Sequence, residues 1–181
     1  MYKPLLLIRL LLFVIATGCS SLPVWTEGEV PFVPTPLEVI DRMFELAQVK
    51  SGDVIYDLGS GDGRIVIQAA KRYGVRGVGI EIDPDLVAKA KDNAFKEKVE
   101  KLVEFHAQDA LTVDVSPATV VTLYMLPEFN AKLRPIFDRQ LKPGARVVSH
   151  DFEIRGWTPD RIETMKGNFL HDHKILLYEI R

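Results

Sequence analysis

The chain has 181 residues, a length that suits one domain. Apolar residues make up 47% and charged residues 27%, which excludes a disordered or low-complexity chain. The formal net charge of -2 leaves no basic surplus, so a nucleic-acid partner is not expected, and the single cysteine, Cys19, excludes an internal disulfide.

Lys3 and Arg9 flank an apolar run, Leu5 to Ile8 and Leu10 to Ala16, which gives way to Thr17-Gly18-Cys19-Ser20-Ser21. A basic start, a short apolar stretch and small residues before a break read as a signal peptide. Ala16-Thr17-Gly18-Cys19 resembles a bacterial lipobox, in which the cysteine is lipidated; the alternatives are an uncleaved membrane anchor and a segment of no targeting value. The run is short beside the roughly 20 residues that span a bilayer. Residues 1–19 are therefore expected to target the chain to a membrane, through the segment itself or through a lipidated Cys19. Their charges tend to place the domain behind them outside the cytoplasm. Residues 20–30 read as a linker and residues 31–181 as the domain, expected to be a monomer.

Thr35-Pro36-Leu37-Glu38 has the pattern of a capping box and opens a helix carrying Leu37, Ile40, Met43, Phe44 and Ala47 at helical spacing. Val54 to Leu58 is a short apolar strand that runs into Gly59-Ser60-Gly61-Asp62-Gly63, and a helix extends from Arg64 to about Tyr73. Gly77 to Glu81 reads as a second strand, and Asp83-Pro84 caps a helix to about Lys98. Further strands are predicted at Val103 to His106, Val120 to Tyr124, Arg146 to Phe152 and Lys174 to Ile180, with a helix from about Glu128 to Leu141. Arg161 to Met165 is a candidate partner for the last strand in a terminal hairpin. Strands and helices alternating at this spacing imply a doubly wound, parallel α/β sheet.

In such sheets ligands bind at the carboxyl ends of the strands. Gly59, Ser60 and Gly61 come directly after the first strand, where glycine permits close backbone approach. The dinucleotide fingerprint needs a glycine where this chain has Arg64, and the Gly-Lys-Ser/Thr of a phosphate loop is missing. Asp57 would repel a pyrophosphate but suits the cationic amino group of S-adenosylmethionine (SAM). Glu81, ending the second strand, stands where a carboxylate accepts from ribose hydroxyls, and Asp109, after the third, where one accepts from an adenine amino group. Phe32, Val33, Pro34 and Thr35 form a stiff segment able to close over the cofactor, although Thr35 also suits a simple cap. No metal is expected.

Asp57-Leu58-Gly59-Ser60-Gly61-Asp62-Gly63-Arg64 resembles the cofactor loop of class I SAM-dependent methyltransferases. The blocks from Pro31 to Pro36, Val120 to Pro127 and Val147 to Trp157 resemble, more narrowly, small archaeal protein-lysine methyltransferases and related mitochondrial lysine methyltransferases. That resemblance, over about Pro31 to Arg181, implies a Rossmann-like seven-stranded sheet, mostly parallel with an antiparallel last strand. It further implies methyl transfer from SAM to an accessible lysine of a protein substrate.

Leu123-Tyr124-Met125-Leu126-Pro127 lacks the Asn/Asp-Pro-Pro-aromatic tetrad that holds a planar amide or adenine amine, and its apolar character suits a lysine stem. Tyr124 is the candidate for positioning the amine, by its hydroxyl or its ring. His150 and Glu153, with Asp151 between them, are candidates to accept its proton. The alternatives are a methyltransferase for a small molecule or lipid, and a membrane-tethered, non-catalytic SAM-binding module. An exported domain would not meet cytosolic SAM, which sets the N-terminal reading against the catalytic one.

Overall fold

The computed structural model describes residues 32–167 and 171–181. The targeting segment, Cys19 and the linker up to residue 30 lie outside the described residues. Among the described residues no helix is long and apolar enough to cross a membrane.

The elements in order are α1 (Leu37–Leu46), β1 (Val54–Leu58), α2 (Arg64–Tyr73), β2 (Arg76–Glu81), α3 (Pro84–Lys96) and β3 (Val103–Ala107). A short 3-10 turn (Ala110–Thr112) precedes β4 (Val120–Leu123), and then come α4 (Pro127–Gln140), β5 (Arg146–His150), β6 (Arg161–Met165) and β7 (His173–Glu179). They form a seven-stranded sheet in the order β3-β2-β1-β4-β5-β7-β6. β1 to β5 pair in parallel, whereas β7 runs antiparallel to both β5 and β6. The doubly wound sheet, its antiparallel last strand and the terminal hairpin all match expectation.

The central strands are largely apolar because both faces are covered, with Asp57, Thr122, Ser149 and His150 as buried polar exceptions. Successive residues serve opposite sides: Val120, Val148 and Leu177 join the layer under α1, α2 and α3, while Val121, Val147 and Leu176 join the layer under α4. Strand order reverses between β1 and β4, since β2 lies on one side of β1 and β4 on the other. The crevice at the carboxyl ends of these strands is where such a sheet leaves room for a ligand.

The opposite ends of these strands are locked by a buried ion pair. Asp53, just before β1, accepts from the Lys50 backbone N–H at 2.9 Å and from the Thr119 hydroxyl at 2.7 Å, and pairs with Arg146 at the start of β5. Burial works against ionisation of Asp53, but these donors outweigh it and hold the carboxyl below its ordinary range. Arg146 in turn donates to the Ala47 carbonyl at 2.7 Å, tying down the end of α1.

One local expectation fails. Thr35 does not cap α1: Pro36 stands at the cap position and no side chain bonds the first turn. The Thr35 side chain is buried instead, with its hydroxyl 3.2 Å from Nδ1 of His150 at the end of β5. A buried hydrogen bond to a side chain that has no water competes well with a solvent-exposed cap.

Removing Asp53 leaves the guanidinium of Arg146 buried without its charge partner. Asp53→Ala is expected to destabilise the domain by about 3 kcal/mol in urea unfolding, with the folded fraction keeping its cofactor affinity, because the latch and the crevice lie at opposite ends of the strands.

Candidate active site

A cavity of about 310 Å³ opens at the carboxyl ends of β1, β2 and β4. Its lining brings together Phe32, Val33, Pro34 and Thr35 from the segment before α1, Asp57, Gly59 and Ser60 from the first strand and its loop, and Glu81, Asp109 and Tyr124 from the strand ends beyond.

Asp57 is the buried centre of this site. In register it faces Thr122 on β4, whose hydroxyl donates to Oδ1 at 2.7 Å, while Oδ2 has no partner among the described residues. Burial pushes the carboxyl up to about 7; the Thr122 hydrogen bond opposes this, and the carboxylates of Glu81 and Asp62 add to it. The folded pKa is thus above the unfolded one, so ionising Asp57 as pH rises from about 4 to about 7 costs the free protein stability. A cation set against Oδ2 reverses that cost.

The loop after β1 is shaped for close approach. The N–H groups of Gly59 and Ser60 donate to the Ile80 carbonyl at 2.8 and 2.9 Å, fastening the loop to β2. A Cβ at Gly59 would sit 2.6 Å from Sδ of Met125, and one at Gly61, where φ is +51°, would overlap the Phe32 ring. Phe32 therefore lies directly on the loop, with the Lys89 ammonium 5.6 Å from its ring centre. Arg64, standing where a dinucleotide loop needs glycine, grips Asp62 through Nη2 at 2.7 Å and donates from Nη1 to the Thr35 carbonyl at 3.3 Å. One arginine fastens the loop to the segment that covers it.

Glu81 is held more firmly than the sequence suggests. Its Oε2 accepts from the Gly61 N–H at 2.8 Å, and its Oε1 from the N–H groups of Ile82 and Asp83 at 2.8 and 3.1 Å. A carboxylate has about four lone-pair sites, so room for further donors is narrow. Asp109 caps the 3-10 turn, Oδ1 accepting from the Leu111 N–H at 2.9 Å, which leaves its other oxygen for a ligand.

On the other side of the cavity Tyr124 stands just past β4. Its ring lies 4.0 Å from that of His150 and 5.9 Å from that of Phe152, centre to centre. Burial first, and then the Asp151 carboxylate, push the Tyr124 hydroxyl above its ordinary value, so at neutral pH it is a hydrogen-bonding group rather than a base. His150 is fully buried behind Tyr124 and does not line the cavity. Burial lowers its pKa to about 4, with His173 and His171 adding to the effect and Asp151 opposing it. Glu153 is not brought to the cavity. Asp151 adopts a left-handed backbone, φ +61°, which turns the chain at the end of β5, and Glu153 is left exposed beyond it. Sequence reasoning does not mark Met125 as a site residue, where it shows only as an apolar neighbour of Tyr124, nor His173, which antiparallel pairing brings against His150 behind the cavity wall.

The sequence profile described as the ANTKMT methyltransferase domain matches residues 57–161. The chain belongs to that family. A protein-lysine N-methyltransferase of Saccharolobus islandicus is 46% identical over 153 residues, covering 83% of this chain and 94% of that protein. An adenine nucleotide translocase lysine N-methyltransferase of Mus musculus is 33% identical over 132 residues, covering 72% of this chain and 57% of the relative's length. Among solved structures, an RNA methyltransferase from Salinibacter ruber in complex with S-adenosyl-L-homocysteine superposes with a TM-score of 0.76 at 57% identity, covering 82% of this chain and 94% of that one. This family member is a SAM-dependent methyltransferase. Its residues fit the cofactor: a buried carboxylate oxygen lacks a donor among the described residues, and Asp57, the glycine loop, Glu81 and Asp109 line one cavity.

Cofactor binding should carry the signature of Asp57. Affinity for S-adenosylhomocysteine, measured calorimetrically, is expected to rise with pH up to about 7 as Asp57 ionises; Asp57→Asn should bind about ten- to a hundredfold more weakly, with that pH dependence gone. Gly61→Ala should weaken binding by displacing Phe32, and adding Phe32→Ala should recover part of the loss.

Proposed function

We propose that the chain transfers methyl groups from SAM to the ε-amine of lysine in a protein substrate. The observation that carries this reading is Tyr124, a protonated aromatic hydroxyl at the cavity wall, backed by His150 and Phe152, in a domain nearly half identical to a lysine methyltransferase over almost that protein's whole length. Bound SAM supplies an electrophilic methyl group on a sulfonium.

In this reading Asp57 receives the cofactor's amino group, Glu81 a ribose hydroxyl and Asp109 the adenine amine, with Gly59, Ser60 and Gly61 beneath and Phe32 to Thr35 above. Tyr124 aligns the substrate amine, and most of the rate comes from that alignment. An apolar mouth with Leu126 and Phe32 exposed favours the neutral amine by desolvation. His150, neutral at physiological pH, holds the Tyr124 ring in place, and an amine that arrives neutral needs no strong base. Glu153 serves to attract a basic substrate. On sequence alone, we further propose that the N-terminal segment ties a monomeric domain to a membrane.

The Salinibacter relative is described as an RNA methyltransferase, which favours RNA as a second reading. The acidic net charge and the absence of a planar-amine tetrad after β4 weigh against it. Incubating the full chain with methyl-labelled SAM, cell proteins and RNA separates the two. Label recovered as methyl-lysine is the expected result; label in RNA would replace the proposal with the second reading. Tyr124→Phe is expected to lower kcat by roughly tenfold with S-adenosylhomocysteine affinity unchanged.

A further inference from the structure

Three of the chain's four histidines gather at one corner of the sheet, outside the cofactor cavity. His150 ends β5, His173 begins β7, His171 precedes it, and Asp151 lies among them. From the sequence no metal is expected; antiparallel pairing of β5 with β7 brings the two histidine-bearing segments together.

We propose that His150 Nε2, Asp151 Oδ2 and His173 Nδ1 bind one divalent transition-metal ion of the zinc class. The three donor atoms lie within 4.8 Å of one another. His150 Nε2 is 3.0 Å from His173 Nδ1 and 3.4 Å from Asp151 Oδ2. Ligand atoms placed tetrahedrally about 2.0–2.1 Å from zinc are about 3.3 Å apart, so these separations are close to those of a coordination shell. Two imidazoles and a carboxylate are also donor types that bind zinc.

The donors are aimed by a second layer of contacts, as metal ligands are. The Thr35 hydroxyl lies 3.2 Å from Nδ1 of His150; when Nδ1–H donates to it, the Nε2 lone pair points at Asp151 and His173. A lone pair facing a carboxylate and a second imidazole is met by a proton on His173 Nδ1 or by a cation set among the three. Asp151 is fixed from the other side, its Oδ1 accepting from the Lys174 N–H at 2.8 Å and its own N–H donating to the Lys174 carbonyl at 2.7 Å. His171 Nε2 stands 3.2 Å from the same Oδ2. Asp151 holds this position in a left-handed conformation that non-glycine residues rarely adopt, a strain that persists only where surroundings enforce it. Thr35 belongs to the segment over the cofactor, and the Tyr124 ring rests on His150, so an ion here braces both sides of the cavity.

The proposal is independent of the substrate and is tested by binding. The full chain, stripped with a chelator and titrated with zinc chloride in a non-coordinating buffer, should take up one ion in calorimetry and retain it through dialysis. His173→Ala and Asp151→Asn should each weaken uptake more than tenfold, Thr35→Val by about ten- to a hundredfold, and His106→Ala on β3 should leave it unchanged. An unchanged far-UV circular dichroism spectrum and a cooperative thermal transition report that each variant is folded. Failure of the wild-type chain to take up zinc stoichiometrically would overturn the proposal and leave a purely hydrogen-bonded cluster. So would wild-type uptake by either the His173→Ala or the Asp151→Asn variant.

Discussion

The site is organised around one unmet demand: a carboxylate buried in the middle of the sheet with a donor for only one of its oxygens. Asp57 is placed there by topology. β1 is the strand at which the order reverses, so its last residues face the crevice while its neighbours on both sides close off water. Thr122 supplies Oδ1, and no group among the described residues supplies Oδ2. Burying a charge without a partner is costly, and proteins respond by holding the proton. The raised pKa of Asp57 is the mark of a site incomplete until a cation arrives.

The two halves of the cavity share a single stretch of chain. Arg64 binds the Thr35 carbonyl from the glycine loop, and the Thr35 hydroxyl reaches His150 from the opposite side. Phe32 lies on Gly61, and Tyr124 stacks on His150. Closing the segment over the cofactor therefore sets the wall against which a substrate is aligned. A lysine methyltransferase needs this economy, because an amine requires little beyond alignment and desolvation to react.

The strands and helices were legible because a sheet covered on both faces writes continuous apolar runs, and the helices between them keep a 3.6-residue period. The cofactor loop was legible because its glycines and acids fall after three successive strands. The features that escaped depend on contacts remote in sequence. Thr35 has the spacing of a helix cap, yet its partner lies 115 residues away. Glu153 stands three residues beyond a strand end and reads as catalytic until the left-handed turn at Asp151 carries it outward. His173 joins His150 only through the register of β7, which no local pattern encodes. Arg64 reads merely as the residue that rules out a dinucleotide; its grip on Asp62 and Thr35 shows why it is there.

The central claim is that Asp57, holding its proton up to about pH 7 in the free chain, gives it up when the cofactor's ammonium group arrives, and isotope-labelled aspartate NMR reads this directly. In the free chain its carboxyl should titrate at about 7. With S-adenosylhomocysteine bound it should fall into or below the ordinary carboxylate range. A carboxyl that titrates in the ordinary range when free, or that the ligand leaves unmoved, would contradict the account.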